Sequence, residues 1–307
     1  TIKINGVPPE VQEENEKEIF EGLVQQFKTN QSDLHLDRLE NGFEAVGSVQ
    51  PFYLAYHELN NRAILSDYGE LCKRVMDFWY KNNKIAIHKS SDSRKIKIGI
   101  VSEQVRNHSV WNAITKGIVL NIDKNLFEIH IFHLGFKQDA ETKLAIDNSN
   151  SYINNKANLR EWVDAIIGSG VDVLLYPEIG MNQLTTQLAS MRLAKHQIAT
   201  WGHPETSGLP YIDYFLSAEL FETEKSQDAY TEKLIKLPNL GCSYFSNYVS
   251  PKEIDLTKYG IKESEPILIC PGKLFKYSPR YDYLLIEIIR TIGSCQLIFF
   301  DDKTEMV

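Results

Sequence analysis

From residue 97 onward the chain alternates short β-branched runs with helical stretches, and this alternation restricts its fold more than any other feature. Residues 97–101, 127–132, 171–175, 198–201 and 214–217 read as strands. Residues 110–120, 159–167 (closed by Gly168) and 184–192 carry helical periodicity between them. Apolar strands separated by helices demand a parallel sheet with helices on both faces, because each strand must bury both of its sides. A second unit opens after Leu237-Pro238-Asn239, with strands at 266–270 and 296–300 around a helix at 281–292. One βαβ unit is too small for an independent Rossmann-type domain, so the rest of that lobe is expected beyond Val307.

The first part of the chain reads differently. Ile19, Leu23, Val24 and Phe27 recur at helical spacing behind an acidic face. A second helix is predicted over 58–80, with Ala63, Leu65, Tyr68, Leu71, Val75 and Phe78 apolar. The aromatic-rich connector at 49–56 is expected to pack as a cap for the next domain, and Ser90-Ser91-Asp92-Ser93 is a polar linker. The predicted organisation is a helical segment at 1–90, a Rossmann-like lobe at 91–250 and the beginning of a second lobe at 251–307. A length of 307 residues with 43% apolar and 24% charged side chains suits a soluble globular chain. The net charge of −8 argues against nucleic acid or an anionic membrane surface as partner. Four scattered cysteines lack the spacing of a zinc knuckle or redox motif and suit a reducing cytoplasm. No apolar run suits a transmembrane helix, no signal-peptide pattern is present, and the missing initiator Met suggests a piece of a longer protein.

In an open parallel sheet, ligands bind beyond the carboxyl ends of the strands. Three predicted loops fall there: 102–109 with His108, 176–182 with Glu178, and 201–208. The last gathers Gly202, His203, Pro204, Glu205, Thr206, Ser207 and Gly208, and is followed by Asp213-Tyr214. An ordinary Gly/Pro turn uses the same residue types; two histidines and a carboxylate on one rim argue for a ligand-facing loop. His108 precedes a helix whose free N–H groups and dipole would hold it neutral, as a base or a hydrogen-bond donor. No HxH or HExxH spacing occurs, so no metal is expected. In the second unit, residues 270–279 run from a strand through a Gly-containing loop, with Lys273 and Lys276, to a helix start at Ser278-Pro279. Such a start attracts phosphate, and Lys276 adds a full charge, although the GxxxxGK[ST] pattern is absent. A surface lysine in a loop is the plainer alternative. Two α/β lobes of this kind suit a nucleotide-bound donor in one and an acceptor-facing rim in the other, the logic of a group transferase.

Several motifs in order are similar to the O-GlcNAc transferase/SPINDLY family of protein glycosyltransferases, especially its bacterial SPINDLY-like branch. They are Ile98-Gly99-Ile100-Val101-Ser102, Arg106-Asn107-His108-Ser109, Phe127-Glu128-Ile129, the 202–208 loop with Asp213-Tyr214, Tyr230-Thr231-Glu232-Lys233-Leu234, Leu237-Pro238, and Leu274-Phe275-Lys276 with Pro279. Phe52-Tyr53-Leu54-Ala55-Tyr56 and Asn60-Asn61-Arg62 extend the likeness, which covers roughly 45–300. The resemblance implies a GT-B fold of two Rossmann-like lobes, with the nucleotide held mainly by the C-terminal one. It implies inverting, metal-independent transfer from a nucleotide sugar such as UDP-GlcNAc to protein Ser/Thr or Asn side chains, with no cofactor. His108 matches the family's active-site histidine, Lys276 the lysine that stabilises the leaving diphosphate, and 202–208 the loop lining the sugar and acceptor site. His203 stands where O-GlcNAc transferases have tyrosine, which marks either a different acceptor or a closer tie to the Asn-modifying branch. The family's second histidine has no counterpart near Ile166-Ile167-Gly168. The nucleotide-holding motifs are expected after Val307, and tetratricopeptide repeats are expected upstream in the parent protein.

The expectation is therefore a cytoplasmic glycosyltransferase chain with an incomplete donor site. His108 orients or deprotonates the acceptor, Lys276 neutralises the diphosphate, and His203 assists. Glu178, Lys273 and the 202–208 loop contact substrate. A non-catalytic protein-binding module with the same fold is the rival reading, and a nucleotide-sugar epimerase is a third.

Overall fold

The computed structural model describes Gly22, Gln25 and residues 42–56, 59–85, 95–244, 250, 253–262, 264–273 and 276–300. Of the predicted helix around Ile19 to Phe27, Gly22 and Gln25 are described and both are helical, and the remaining residues of that helix and the linker at 90–93 lie outside the described residues. The chain divides into two units, one within 21–55 and 59–245, the other chiefly within 246–307.

The first unit is built on seven parallel strands: β1 (Ile96–Ser102), β2 (Phe127–His133), β3 (Ser151–Ile153), β4 (Val173–Tyr176), β5 (His196–Thr200), β6 (Tyr214–Ala218) and β7 (Lys233–Leu237). Their order is β3-β2-β1-β4-β5-β6-β7. The chain thus moves outward from β1 to β3, then returns to β1's other side with β4. That reversal opens a crevice beyond the carboxyl ends of β1 and β4, where open α/β sheets bind ligands. Strand residues alternate between two cores, as the pleat requires. Val101, Phe132, Leu174 and Tyr176 face one core, while Ile100, Ile129, Ile131 and Leu175 face the other.

The helices before β7 are α1 (Arg62–Asn82), α2 (Lys116–Asn121), α3 (Ala140–Asp147), α4 (Leu159–Ser169) and α5 (Gln183–Ala189). Buried Leu65, Gly69, Cys72, Met76 and Trp79 lie at helical spacing on α1, and Cys72, Met76 and Trp79 share a core with β4 and α4. Helix α1 thus packs as part of the lobe's own core. Helix α4 runs past the expected Gly168 and ends at Gly170, whose φ of 62° supplies the left-handed cap. Three elements were not expected: β3, β7 and α3. Helix α3 is short and opens with a capping box in which the Asp139 carboxylate accepts from the Thr142 amide and the Thr142 hydroxyl receives the Asp139 amide.

The second unit contains a parallel pair, β8 (Ile267–Cys270) and β9 (Gln296–Phe299), joined through a 3-10 turn at Pro279–Tyr281 and α6 (Asp282–Ile292). This is the βαβ unit expected from the sequence.

Candidate active site

The crevice beyond β1 and β4 brings two expected residues to neighbouring loops. His108 lies six residues after β1 and Glu178 two residues after β4. His108 is half-buried at the start of a helical run, in which Trp111–Thr115 is wound as a π-helix before α2 begins. Such π-turns inside helices are frequent at functional sites. The His108 Nδ1 accepts the Val110 amide at 3.2 Å. In the neutral ring the proton therefore sits on Nε2, so this geometry offers a hydrogen-bond donor rather than a base. Burial holds the imidazole below its usual pKa, and the Arg106 charge adds to this, while Glu103 opposes it.

The segment carrying His108 is pinned from below. The Asn107 amide donates to Asp139 Oδ2 at 2.8 Å, and Trp111 Nε1 donates to Glu141 Oε2 at 2.8 Å. Lys116 pairs with Glu141 at 2.8 Å. Asp139 and Glu141 carry no motif of their own; the Asp-x-x-Thr spacing of the α3 cap was the one signal available.

Glu178 is 0% exposed. Its carboxyl accepts the Ser102 hydroxyl at 3.0 Å and the Glu103 amide at 2.6 Å. Burial pushes its pKa up to about 8, and the Glu103 charge pushes the same way, against the hydrogen bonds that favour the carboxylate. Glu178 was expected to touch substrate; the structure instead turns it onto the neighbouring loop, where it has no exposed surface.

The 201–208 loop is likewise directed inward over much of its length. His203 is 3% exposed, with its ring centroid 5.4 Å from that of Phe52. Burial lowers its pKa to about 4, although the backbone carbonyls of Ile179 and Phe52 favour the charged form. The cavity beside it, lined also by Tyr68, Gly180, Thr206 and Ser207, is about 10 Å³. That is room for about one water and far too little for a sugar. The Thr206 hydroxyl donates to Glu232 Oε2 at 2.6 Å, and the Ser207 amide and hydroxyl both donate to Glu232 Oε1. Gly208 has φ 68°, and an added Cβ would lie 2.1 Å from the Leu65 carbonyl oxygen of α1. Gly202 abuts the Pro177 carbonyl in the same way, at 2.1 Å. Glu205 Oε1 accepts Asn61 Nδ2 at 2.8 Å, and Pro204 is exposed. Gly202, Pro204 and Glu205 therefore keep surface at this loop, whereas His203, Thr206, Ser207 and Gly208 build it. Glu232 and Asn61, which fasten the loop, lie within family-like motifs, but nothing in those motifs signals these roles. Asp213 takes a bidentate bond from Arg192, at 2.7 and 2.9 Å.

In the second unit Lys276 and Lys273 are exposed, and the Lys276 amide closes a turn onto the Lys273 carbonyl at 2.9 Å. Tyr277 OH receives the Gly272 amide at 2.7 Å and so fixes the loop's width. Ser278 occupies the N-cap position and Pro279 the first position of the 3-10 turn, but the Ser278 hydroxyl makes no capping bond. Among the described residues, no three His, Cys, Asp or Glu side chains converge to hold a metal ion.

A central parallel sheet with a strand-order reversal, and a histidine and an acidic residue at the reversal, define an α/β lobe of Rossmann type. The chain belongs to glycosyl transferase family 41, which matches it over residues 36–246. It is 22% identical over 227 residues to a probable UDP-N-acetylglucosamine–peptide N-acetylglucosaminyltransferase, SEC, of Arabidopsis thaliana, covering 69% of this chain and 22% of that protein. It is 20% identical over 219 residues to a UDP-glucose:protein N-beta-glucosyltransferase of Actinobacillus pleuropneumoniae serotype 5b (strain L20), covering 70% of this chain and 32% of that protein. The chain thus spans a third or less of the length of these relatives. Its fold is similar to that of a mutant O-GlcNAc transferase of Thermobaculum terrenum, with a TM-score of 0.60 and 17% identity over 86% of this chain and 48% of that one. The fold is accordingly of the GT-B class.

Proposed function

We propose that the protein carrying this chain is an inverting glycosyltransferase, acting without a metal, that moves a sugar from a UDP-linked donor to a Ser/Thr hydroxyl or Asn amide of a protein. The observation that carries this reading is His108 at the β1/β4 reversal of a family 41 lobe, fixed with a donating Nε2–H. In the reaction the bond from the anomeric carbon to the diphosphate breaks with its electron pair leaving on the diphosphate, the acceptor atom bonds to that carbon from the opposite side, and the acceptor's proton passes to solvent. His108 orients the acceptor through Nε2–H. Lys276, two residues before the Ser278-Pro279 turn, neutralises the departing diphosphate, a task in which one lost donor costs roughly 10²-fold to 10³-fold in rate. The exposed Pro204, with the partly exposed Gly202 and Glu205 beside it, contacts the acceptor side. A reducing, cytoplasmic setting fits the four unpaired cysteines, and no described helix is long and apolar enough to cross a membrane.

The test is transfer by the full-length protein from UDP-GlcNAc and UDP-glucose, read by intact-mass spectrometry of acceptor proteins. Transfer from either donor, reduced at least about 10²-fold in His108→Ala and Lys276→Ala, supports the reading. Wild-type rates in both variants would refute the assigned roles, and no transfer from either donor would refute the activity.

A further inference from the structure

We propose that Glu178 is a positioning residue for His108, acting from the loop after β4 on the loop after β1. The chemical consequence rests on the transferase reading above; the geometric claim stands apart from it. A fully buried carboxyl group is costly unless its bonds do something for the fold around it. Both bonds of Glu178 go to the same two residues, the Ser102 hydroxyl and the Glu103 amide, where β1 becomes the loop. From there the fixation continues toward His108. Ser102 Oγ receives the Gln104 amide at 2.9 Å, and the Gln104 carbonyl receives the Arg106 amide at 2.8 Å. The Gln104 side-chain oxygen also receives Arg106 Nη2 at 2.8 Å. His108 is two residues on. A second strap runs parallel to the first: Asn182, the N-cap of α5, donates Nδ2 to Glu103 Oε2 at 2.8 Å. The loop bearing His108 is therefore tied across the crevice at two points, and Glu178 is the one sealed from solvent. Without surface it cannot touch substrate, so its influence passes through the loop.

The experiment uses full-length protein labelled with ¹³C,¹⁵N-histidine, comparing wild type, Glu178→Gln and Glu178→Ala. The glutamine can still accept the Glu103 amide and can donate to Ser102 Oγ, so the His108 imidazole signals should stay at their wild-type positions. In Glu178→Ala they should move, while those of His196, at the opposite end of β5, do not. In the transfer assay Glu178→Ala should lose about 10²-fold in kcat, the scale of a 1 Å misplacement, with donor KM unchanged, and Glu178→Gln should recover most of it. Should Glu178→Ala fail to fold, Ser102→Ala removes the next link and must shift the His108 signals instead. Unmoved His108 signals in a folded Glu178→Ala or Ser102→Ala variant would overturn the proposal. A wild-type protein without transfer would sink the transferase reading alone, since the His108 signals still decide the positioning claim.

Discussion

Two buried side chains, Glu178 and His203, are both held uncharged by burial, with opposite consequences for stability. The Glu178 pKa is raised to about 8, so between its unfolded value and pH 8 the folded protein holds a proton that the unfolded chain releases. Stability therefore falls as pH rises through that window, by up to about 1.4 kcal/mol per unit. Glu178→Gln should remove that decline, which urea titrations at pH 6, 7 and 8 would show. The His203 pKa is lowered to about 4, so between pH 4 and its unfolded value the unfolded chain takes up a proton that the folded protein refuses. Stability is then lost as pH falls from about 6.5 to 4. His203→Gln should flatten this acid limb in thermal melts over the same range. The sequence was sufficient to put both residues on the strand-end rim, because strand periodicity fixes where loops emerge. It could not show that they are enclosed, because the enclosing groups are distant in sequence: Phe52 against His203, and the Ser102–Glu103 turn over Glu178.

At the scale of elements, the contact between α1 and the loop after β5 is a backbone-to-backbone approach that depends on two glycines. A Cβ on Gly69 would lie 1.9 Å from the Gly208 carbonyl oxygen. Alanine is favoured over glycine in a helix by about 1 kcal/mol, yet Gly69→Ala should destabilise by about 3 kcal/mol through overpacking. Gly168→Ala is the counterpart, inside α4 with open space around it, and should stabilise by about 0.5–1 kcal/mol. Denaturant midpoints of the two variants, moving in opposite directions, check both expectations. The same scale explains which elements could be read in advance. Strands β1, β2, β4, β5 and β6 announced themselves through short runs rich in β-branched and aromatic residues. Strand β7, Lys-Leu-Ile-Lys-Leu, sits at the sheet edge with its lysines outward, the device that blunts an edge and also disguises it. Helix α3 has little amphipathic pattern and is specified by its cap instead.

For the molecule as a whole, α1, which precedes the sheet, belongs to the lobe's interior. Trp79 packs with Val101, Leu174 and Trp162 in one core, so Trp79→Ala should cost about 3–5 kcal/mol. A chain begun at residue 95 should lose cooperative unfolding, and calorimetry of the two forms measures the difference. The sequence separated 1–90 from 91–250 because the hydrophobic period changes there. A change of period marks a change of element type, and it does not mark a boundary between cores. The Gly69–Gly208 contact also sets a schedule. During synthesis α1 leaves the ribosome about 140 residues before the loop that receives it, a delay of roughly ten seconds at ordinary elongation rates. Its apolar stripe meets Val101, Trp162 and Leu174 as they emerge, but its face around Gly69 stays uncovered until Gly208 is made. The nascent chain thus carries one uncovered patch of α1 while β1 to β5 are being made, and the loop bearing Gly208 covers it last.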